Sequence, residues 1–172
     1  MAVELIAALS EQTRALYPDE SGYVERGSVK LSYEVYGSGE PTVFLLPTWS
    51  VMHSRHWKMQ IPYLARHFRV LTMDGLGNGR SDRCHDPRRY GAAEFARDCL
   101  AVMDASGTEQ AVVVSLSRGA QYQLELGRLA PERMSGAAFI GPLFPYTPSH
   151  WSVLLGQHLP DFALRFMPFR WW

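Results

Sequence analysis

Apolar residues of this chain fall into short continuous runs that alternate with amphipathic segments. The runs are typical of strands buried on both faces, and they occupy residues 42–46, 70–73 and 111–114, while residues 135–140 are predicted to form a further strand. Apolar positions at helical spacing predict helices over residues 56–68, 92–105 and from Ala120 to about Ala130. This alternation predicts an α/β fold with a mostly parallel sheet and helices on both of its faces.

Two further strands are predicted before these runs, at residues 23–26 and 29–36, with a turn between them at Gly27-Ser28. The second strand alternates apolar and polar side chains, which is typical of an antiparallel strand with one exposed face. Residues 2–16 have amphipathic helical spacing. We therefore assign residues 1–22 to an N-terminal helical arm and residues 23–142 to the core.

The composition argues against several classes of protein. The 172 residues fit one domain, and a formal net charge of zero gives no reason to expect binding to nucleic acid or to an anionic membrane. Apolar runs stay well below the ~20 residues that span a bilayer. The first residues lack a cationic lead, and Cys84 and Cys99 form no disulfide framework. We expect a cytoplasmic protein without a secretion signal.

The candidate chemistry lies directly after the third buried run. Residues 111–114 lead into Ser115-Leu116-Ser117-Arg118-Gly119, and a segment of helical composition follows. A strand, a tight turn with a central serine and a helix form the context of a nucleophile elbow. Such a turn raises the Ser117 hydroxyl above the sheet edge, and the helix N-terminus stabilises negative charge. The alternative is an ordinary strand-to-helix turn that contains serine.

The pentapeptide resembles the Gly-x-Ser-x-Gly motif of the α/β-hydrolase superfamily, with Ser115 in place of the first glycine. Residues 74–82 are similar to the family's Asp-x-x-Gly-x-Gly-x-Ser loop, and Ala-Pro-Glu-Arg at 130–133 closes the next helix in the family's manner. Residues 45–49 occupy the place of a strand followed by His-Gly-x, here with Pro47-Thr48. A phosphate cradle is the alternative for the glycine-rich loop, which lacks the Lys-Ser/Thr pair of a P-loop.

The resemblance implies a serine hydrolase with Ser117 as nucleophile and the backbone N–H groups of Trp49 and Arg118 as oxyanion hole. Residues implied to support the elbow and the loop are Ser115, Gly119, Asp74, Gly77 and Gly79. Residues implied to line a substrate pocket are Thr48, Leu116 and Phe144. The implied substrate is a small molecule with an ester, amide or similar bond, and the resemblance implies neither a metal ion nor a cofactor.

The acid and the histidine of the family's triad have no evident counterpart in this chain. In the family they follow the serine, the acid first. The acids and histidines after Ser117 are Glu125, Glu132, His150, His158 and Asp161. The two glutamates belong to the elbow helix or its end, and the aspartate follows both histidines. Residues 143–172 resemble the start of the family's lid, with a loosely packed tail as the alternative.

We therefore expect an α/β-hydrolase fold that is C-terminally truncated within the lid region, and a chain that is weak or inactive alone. Two other functions stay open. One is a non-catalytic, receptor-like module that binds a small ligand, and the other is half of a split hydrolase. Truncation leaves a sheet edge unpaired, which favours self-association. The sequence does not name the substrate, because substrate choice depends on the shape of the lid and pocket.

Overall fold

The computed structural model of the chain describes residues 16–48 and 52–143. Its centre is a six-stranded sheet, and the strands are β1 Glu20–Arg26, β2 Val29–Tyr36, β3 Thr42–Leu45, β4 Arg69–Met73, β5 Ala111–Leu116 and β6 Met134–Ile140. Their spatial order is β1-β2-β4-β3-β5-β6. Strand β2 is antiparallel to both of its neighbours, whereas the β4–β3–β5–β6 part of the sheet is parallel.

Helices cover both faces of this sheet, as the alternation of strands and helices predicts. The α-helices are α1 Ile61–Leu64, α2 Ala92–Ala105 and α3 Gly119–Leu129, and 3₁₀ turns occupy Ser54–Trp57, Pro87–Tyr90 and Pro131–Arg133. Alternate strand residues face two cores. Phe44 and Val113 pack with α2 and α3 on one face, and Val43 and Leu45 pack with Trp57 and Ile61 on the other.

The prediction of one helix over residues 56–68 is wrong. The structure has a 3₁₀ turn at Ser54–Trp57, then hydrogen-bonded turns, and the four-residue helix α1. The physical reason is Pro62, which has no N–H to donate and is tolerated only in the first turn of a helix. The predicted helix over residues 92–105 and the predicted strand over 29–36 are confirmed with the same bounds.

Strand β1 begins at Glu20, three residues before its predicted start and inside the segment assigned to the N-terminal arm. Glu20 pairs with Val35, and Gly22 pairs with Tyr33, so the antiparallel ladder continues to the end of β2. Residues 1–15, which carry most of the predicted arm, lie outside the described residues.

The prediction that β2 exposes one face is confirmed at Lys30 but is wrong at Ser32 and Glu34. Ser32 and Glu34 are only 3% and 2% exposed, because the loop that follows β4 covers them. The Ser32 N–H donates to the Ser81 hydroxyl at 2.9 Å. The Glu34 carboxylate forms ion pairs with Arg80 and Arg55 and accepts a hydrogen bond from Tyr36. Two cations and a hydroxyl therefore satisfy one buried carboxylate on this face.

Strand β6 lies at one edge of the sheet. It pairs with β5 along its length, and no other strand within residues 16–48 and 52–143 pairs with its second side. Ile140, at its end, is 47% exposed. An open edge of this kind can pair with another chain, and self-association through it stays a prediction. None of the helices in the described part of the chain is long and apolar enough to cross a membrane.

Acid is expected to destabilise the fold through His56. Its Nδ1 lies 2.9 Å from the His53 carbonyl and must donate to it, while its Nε2 is buried without a partner among the described residues. Burial lowers the pKa of this imidazole. Below pH ~6.5 the histidine is protonated in the unfolded state but stays neutral in the folded state. The free energy of unfolding therefore falls as the pH falls.

Thermal melts at pH 7.5 and 5.5 measure this loss. His56→Gln should lose less melting temperature on acidification than the wild-type chain does. His67→Gln, at an exposed position, should lose as much as the wild type. Equal losses in all three proteins would contradict the assignment to His56.

Candidate active site

The bend between β5 and α3 holds Ser117 in an unusual backbone conformation. Its φ of +53° makes it the single non-glycine residue with a positive φ in the described part of the chain. Such a conformation disfavours residues with a Cβ and persists where surrounding contacts enforce it. The Ser117 N–H donates to Ile140 at 3.0 Å, and its carbonyl accepts from Leu143 at 3.0 Å. The end of β6 and the residues after it therefore fix the bend.

The two serines of the pentapeptide differ sharply in environment. Ser117 is half-buried, and no described residue forms a hydrogen bond with its hydroxyl. Ser115 is fully buried, and its hydroxyl likewise has no partner among the described residues. Only the Ser117 hydroxyl is therefore accessible to a small molecule.

The loop that follows β3 packs closely against the start of α3. A Cβ on Gly119 would lie 3.0 Å from the Pro47 carbonyl oxygen and 3.3 Å from the Ser115 Cβ, so a glycine permits this approach. The Thr48 hydroxyl donates to the Leu116 carbonyl at 2.8 Å. These contacts place residues 47 and 48 beside the bend.

The first backbone donor implied by the resemblance, Trp49, lies outside the described residues. The second donor, the N–H of Arg118, has no acceptor within the described residues. Arg118 is the N-cap of α3, where backbone N–H groups lack intrahelical partners. This N–H is therefore free to donate to an oxygen that carries negative charge.

Asp74 holds together the glycine-rich loop after β4. Its carboxylate accepts hydrogen bonds from the Ser54 N–H at 2.8 Å and the Arg80 N–H at 2.9 Å. Gly77 and Gly79 both have positive φ, +88° and +51°. The Gly77 N–H donates to Asp82, and the Asn78 N–H donates to Gly75. These N–H groups are thus engaged within the loop, which argues against the phosphate-cradle alternative.

A cavity of about 440 Å³ lies beside the bend, between the loops after β3 and β4 and helices α2 and α3. Thr48 and Arg118 line it, whereas Leu116 packs on the opposite core with Trp57 and Ile61, and Phe144 lies outside the described residues. Most of the other lining residues are not among those predicted from the sequence, and they include Arg83, Arg89, Tyr90, Phe95 and Tyr122. The sequence feature that could have indicated this lining is the cluster of arginines over residues 80–89.

Neither of the two candidate acids in the described part of the chain, Glu125 and Glu132, forms a hydrogen bond with the Ser117 hydroxyl. Glu125 forms an ion pair with Arg128 on α3 at 2.9 Å, and Glu132 is exposed after that helix. The later candidates His150, His158 and Asp161 lie outside the described residues. Within the described residues, His, Cys, Asp and Glu side chains form no group of three that could hold a metal ion.

Ser115→Ala is expected to stabilise the fold by up to about 1 kcal/mol. A buried hydroxyl without a partner carries a desolvation penalty, which alanine removes while filling nearly the same volume. Urea denaturation of the two proteins measures the difference. Ser106→Ala is the matched control, because the Ser106 hydroxyl is also buried but donates to Met103 at 3.1 Å. The control should lose stability, and a loss at Ser115 as well would contradict the prediction.

Comparisons with known proteins agree with the fold of this chain. A family model described as alpha/beta hydrolase fold matches residues 41–168. The protein named "Putative carbamate hydrolase RutD" of Azorhizobium caulinodans is 36% identical over 118 residues, which cover 69% of this chain and 43% of that protein. The 1H-3-hydroxy-4-oxoquinoline 2,4-dioxygenase of Pseudomonas putida is 32% identical over 130 residues, which cover 72% of this chain and 46% of that one.

Among solved structures, epoxide hydrolase VrEH1 from Vigna radiata superposes with a TM-score of 0.70 at 23% identity. The match covers 84% of this chain and 48% of that one. At this identity the likeness concerns the fold alone. The chain spans about half the length of the proteins that it matches.

Proposed function

Because this chain belongs to the alpha/beta hydrolase fold family, we propose that Ser117 is the nucleophile of a serine hydrolase. The substrate is a small molecule with an ester, amide or similar bond, and the reaction proceeds through an acyl-enzyme. The observation that carries this proposal is the left-handed backbone of Ser117 at the bend between β5 and α3. A strained, half-exposed serine ahead of a helix is the arrangement that a nucleophile elbow requires.

In the proposed reaction the Ser117 oxygen attacks the substrate carbonyl carbon, and the carbonyl oxygen becomes negatively charged. The free N–H of Arg118 donates to that oxygen, and the N–H of Trp49 is proposed as the second donor. The leaving group departs with a proton, and water then cleaves the acyl-enzyme. Serine needs a base to accept its proton, and the described residues offer none in contact with it.

We propose that the base is His150, His158 or a residue outside residues 1–172, which in a split hydrolase belongs to a second polypeptide. We propose that residues 143–172 form the start of a lid over this site, and that residues 23–142 form the core beneath it. The free thiols Cys84 and Cys99 fit a reducing, cytoplasmic setting.

A receptor-like module is the second candidate function. The cavity beside Ser117 supports it, because a space of about 440 Å³ suits a small ligand whether or not chemistry follows. The relative named as a dioxygenase also indicates that this family resemblance does not by itself fix the reaction. The two functions differ in whether the Ser117 hydroxyl reacts.

A fluorophosphonate probe with intact-mass measurement tests the proposal on the whole 172-residue chain. We expect one adduct per chain, on the peptide that contains Ser117, formed slowly because no described residue supplies a base in contact with this serine. Ser117→Ala should give no adduct, and Ser135→Ala, at an exposed serine on β6, should react as the wild type does.

No adduct on the wild type, or equal labelling of Ser117→Ala, would contradict the proposal that Ser117 is the nucleophile. Ligand binding without an adduct would favour the receptor-like module instead. Size-exclusion chromatography tests the split hydrolase, for which the chain must associate with a second polypeptide or copy.

A further inference from the structure

The cavity beside Ser117 is cationic. Arg83, Arg89 and Arg118 line it, and no aspartate or glutamate is among its described lining residues. Arg89 is balanced, because it lies 3.5 Å from both Glu94 and Asp98. Arg83 and Arg118 form no ion pair with any described residue. The cavity therefore holds two uncompensated positive charges.

Two of these guanidinium groups also carry an N–H donor that forms no hydrogen bond with any described residue. The Nε atoms of Arg89 and Arg118 are buried and have no hydrogen-bond partner among the described residues. Buried donors in folded proteins are nearly always paired, so these two N–H groups are available to an acceptor on a ligand that enters the cavity. A planar guanidinium presents its N–H groups in a fork that fits a carboxylate.

Aromatic side chains also line the cavity. The rings of Phe95 and Tyr122 stack with centroids 3.9 Å apart and an interplanar angle of 15°. Tyr90 is fixed nearby, because its hydroxyl donates to the Cys84 carbonyl at 2.8 Å and accepts from the Cys84 N–H at 3.1 Å. Burial raises the pKa of Tyr122, and its hydroxyl accepts a hydrogen bond from the Arg118 side chain while keeping its own proton to donate to a ligand.

We propose that this cavity binds a small aromatic carboxylate, whose anionic end pairs with Arg118 and whose ring packs on the aromatic side chains. This inference deepens the proposed function, on which it rests for the role of the ligand as substrate. A carboxylate fits better than a phosphate, because the N–H groups of Gly77 and Asn78 in the adjoining loop are already engaged and form no phosphate nest.

Isothermal titration calorimetry on the Ser117→Ala chain tests the binding without turnover. The probes are benzoate and its neutral counterpart benzamide, and we expect benzoate to bind about tenfold more tightly or better. Arg118→Gln should weaken benzoate binding about tenfold and change benzamide binding less than twofold. Arg128→Gln, on an exposed turn of α3 outside the cavity, should leave both affinities unchanged.

Equal affinities for benzoate and benzamide would overturn the inference, and so would an equal loss of benzoate binding in Arg118→Gln and Arg128→Gln. Tighter binding of phenyl phosphate than of benzoate would overturn the choice of carboxylate. If Arg118→Gln melts well below Arg128→Gln, then Arg83→Gln replaces it, because Arg83 is exposed and lines the same cavity. Unchanged benzoate binding in Arg83→Gln would then be the overturning result.

The outcome is distinct from that of the labelling experiment. A benzoate preference with no fluorophosphonate adduct keeps the anion site and rejects the nucleophile. An adduct with no benzoate preference keeps the nucleophile and rejects the ligand class.

Discussion

Ser117→Gly is expected to remove fluorophosphonate labelling, by at least about 10³-fold, and to be more stable than Ser117→Ala by about 1 kcal/mol. Both variants lack the hydroxyl, so neither can form the adduct. They differ in the backbone, because the φ of +53° suits glycine and disfavours any residue with a Cβ. Urea denaturation gives the difference in the free energy of unfolding.

Ser135→Gly and Ser135→Ala are the matched control pair of variants. Ser135 lies in the extended backbone of β6, where glycine is less favourable than alanine, so Ser135→Gly should be less stable than Ser135→Ala. The order of glycine and alanine should thus reverse between the two sites. The same order at both sites would mean that Ser117 is not held in a strained conformation, and the proposed elbow would lose its main support.

Much of the fold could be predicted from the sequence because β3, β4 and β5 each contain a short apolar run. The sequence predicts helix α2 with its observed bounds, since its apolar spacing is regular. The burial of Glu34 could not be predicted from its own strand. The loop that covers it carries Arg80, 46 positions later in the sequence, and an alternating pattern contains no information about such a distant cover.

The candidate site shows the same division between local and distant information. The bend at Ser117 follows from five consecutive residues, and the structure gives that serine the backbone conformation that an elbow needs. The cavity depends instead on Phe95 and Tyr122, which lie on different helices. Each side chain alone fits an ordinary core position. Only the packing of α2 against α3 stacks the rings and leaves arginines facing an open space.

Gly79→Ala is expected to lower the free energy of unfolding by about 3 kcal/mol, whereas Gly107→Ala should cost only about 1 kcal/mol. Both glycines have a positive φ, +51° and +65°, so both substitutions strain the backbone alike. A Cβ on Gly107 meets nothing within 4 Å, but a Cβ on Gly79 would overlap the Asp74 carboxylate severely. The difference between the two variants therefore measures the close approach alone.

The larger loss of stability in Gly79→Ala follows from the hydrogen bonds that the Asp74 carboxylate accepts. This carboxylate could move aside only by giving up the hydrogen bonds from the Ser54 and Arg80 N–H groups, and each bond to a charged group contributes about 1.5–3 kcal/mol. Urea denaturation of both variants gives the comparison. Equal costs would mean that the loop shifts freely, and Asp74 would then not be what fixes the glycine-rich loop beside the cavity. A loss of stability in Gly79→Ala alone would instead mean that the buried Asp74 carboxylate fixes the shape of the loop beside the cavity.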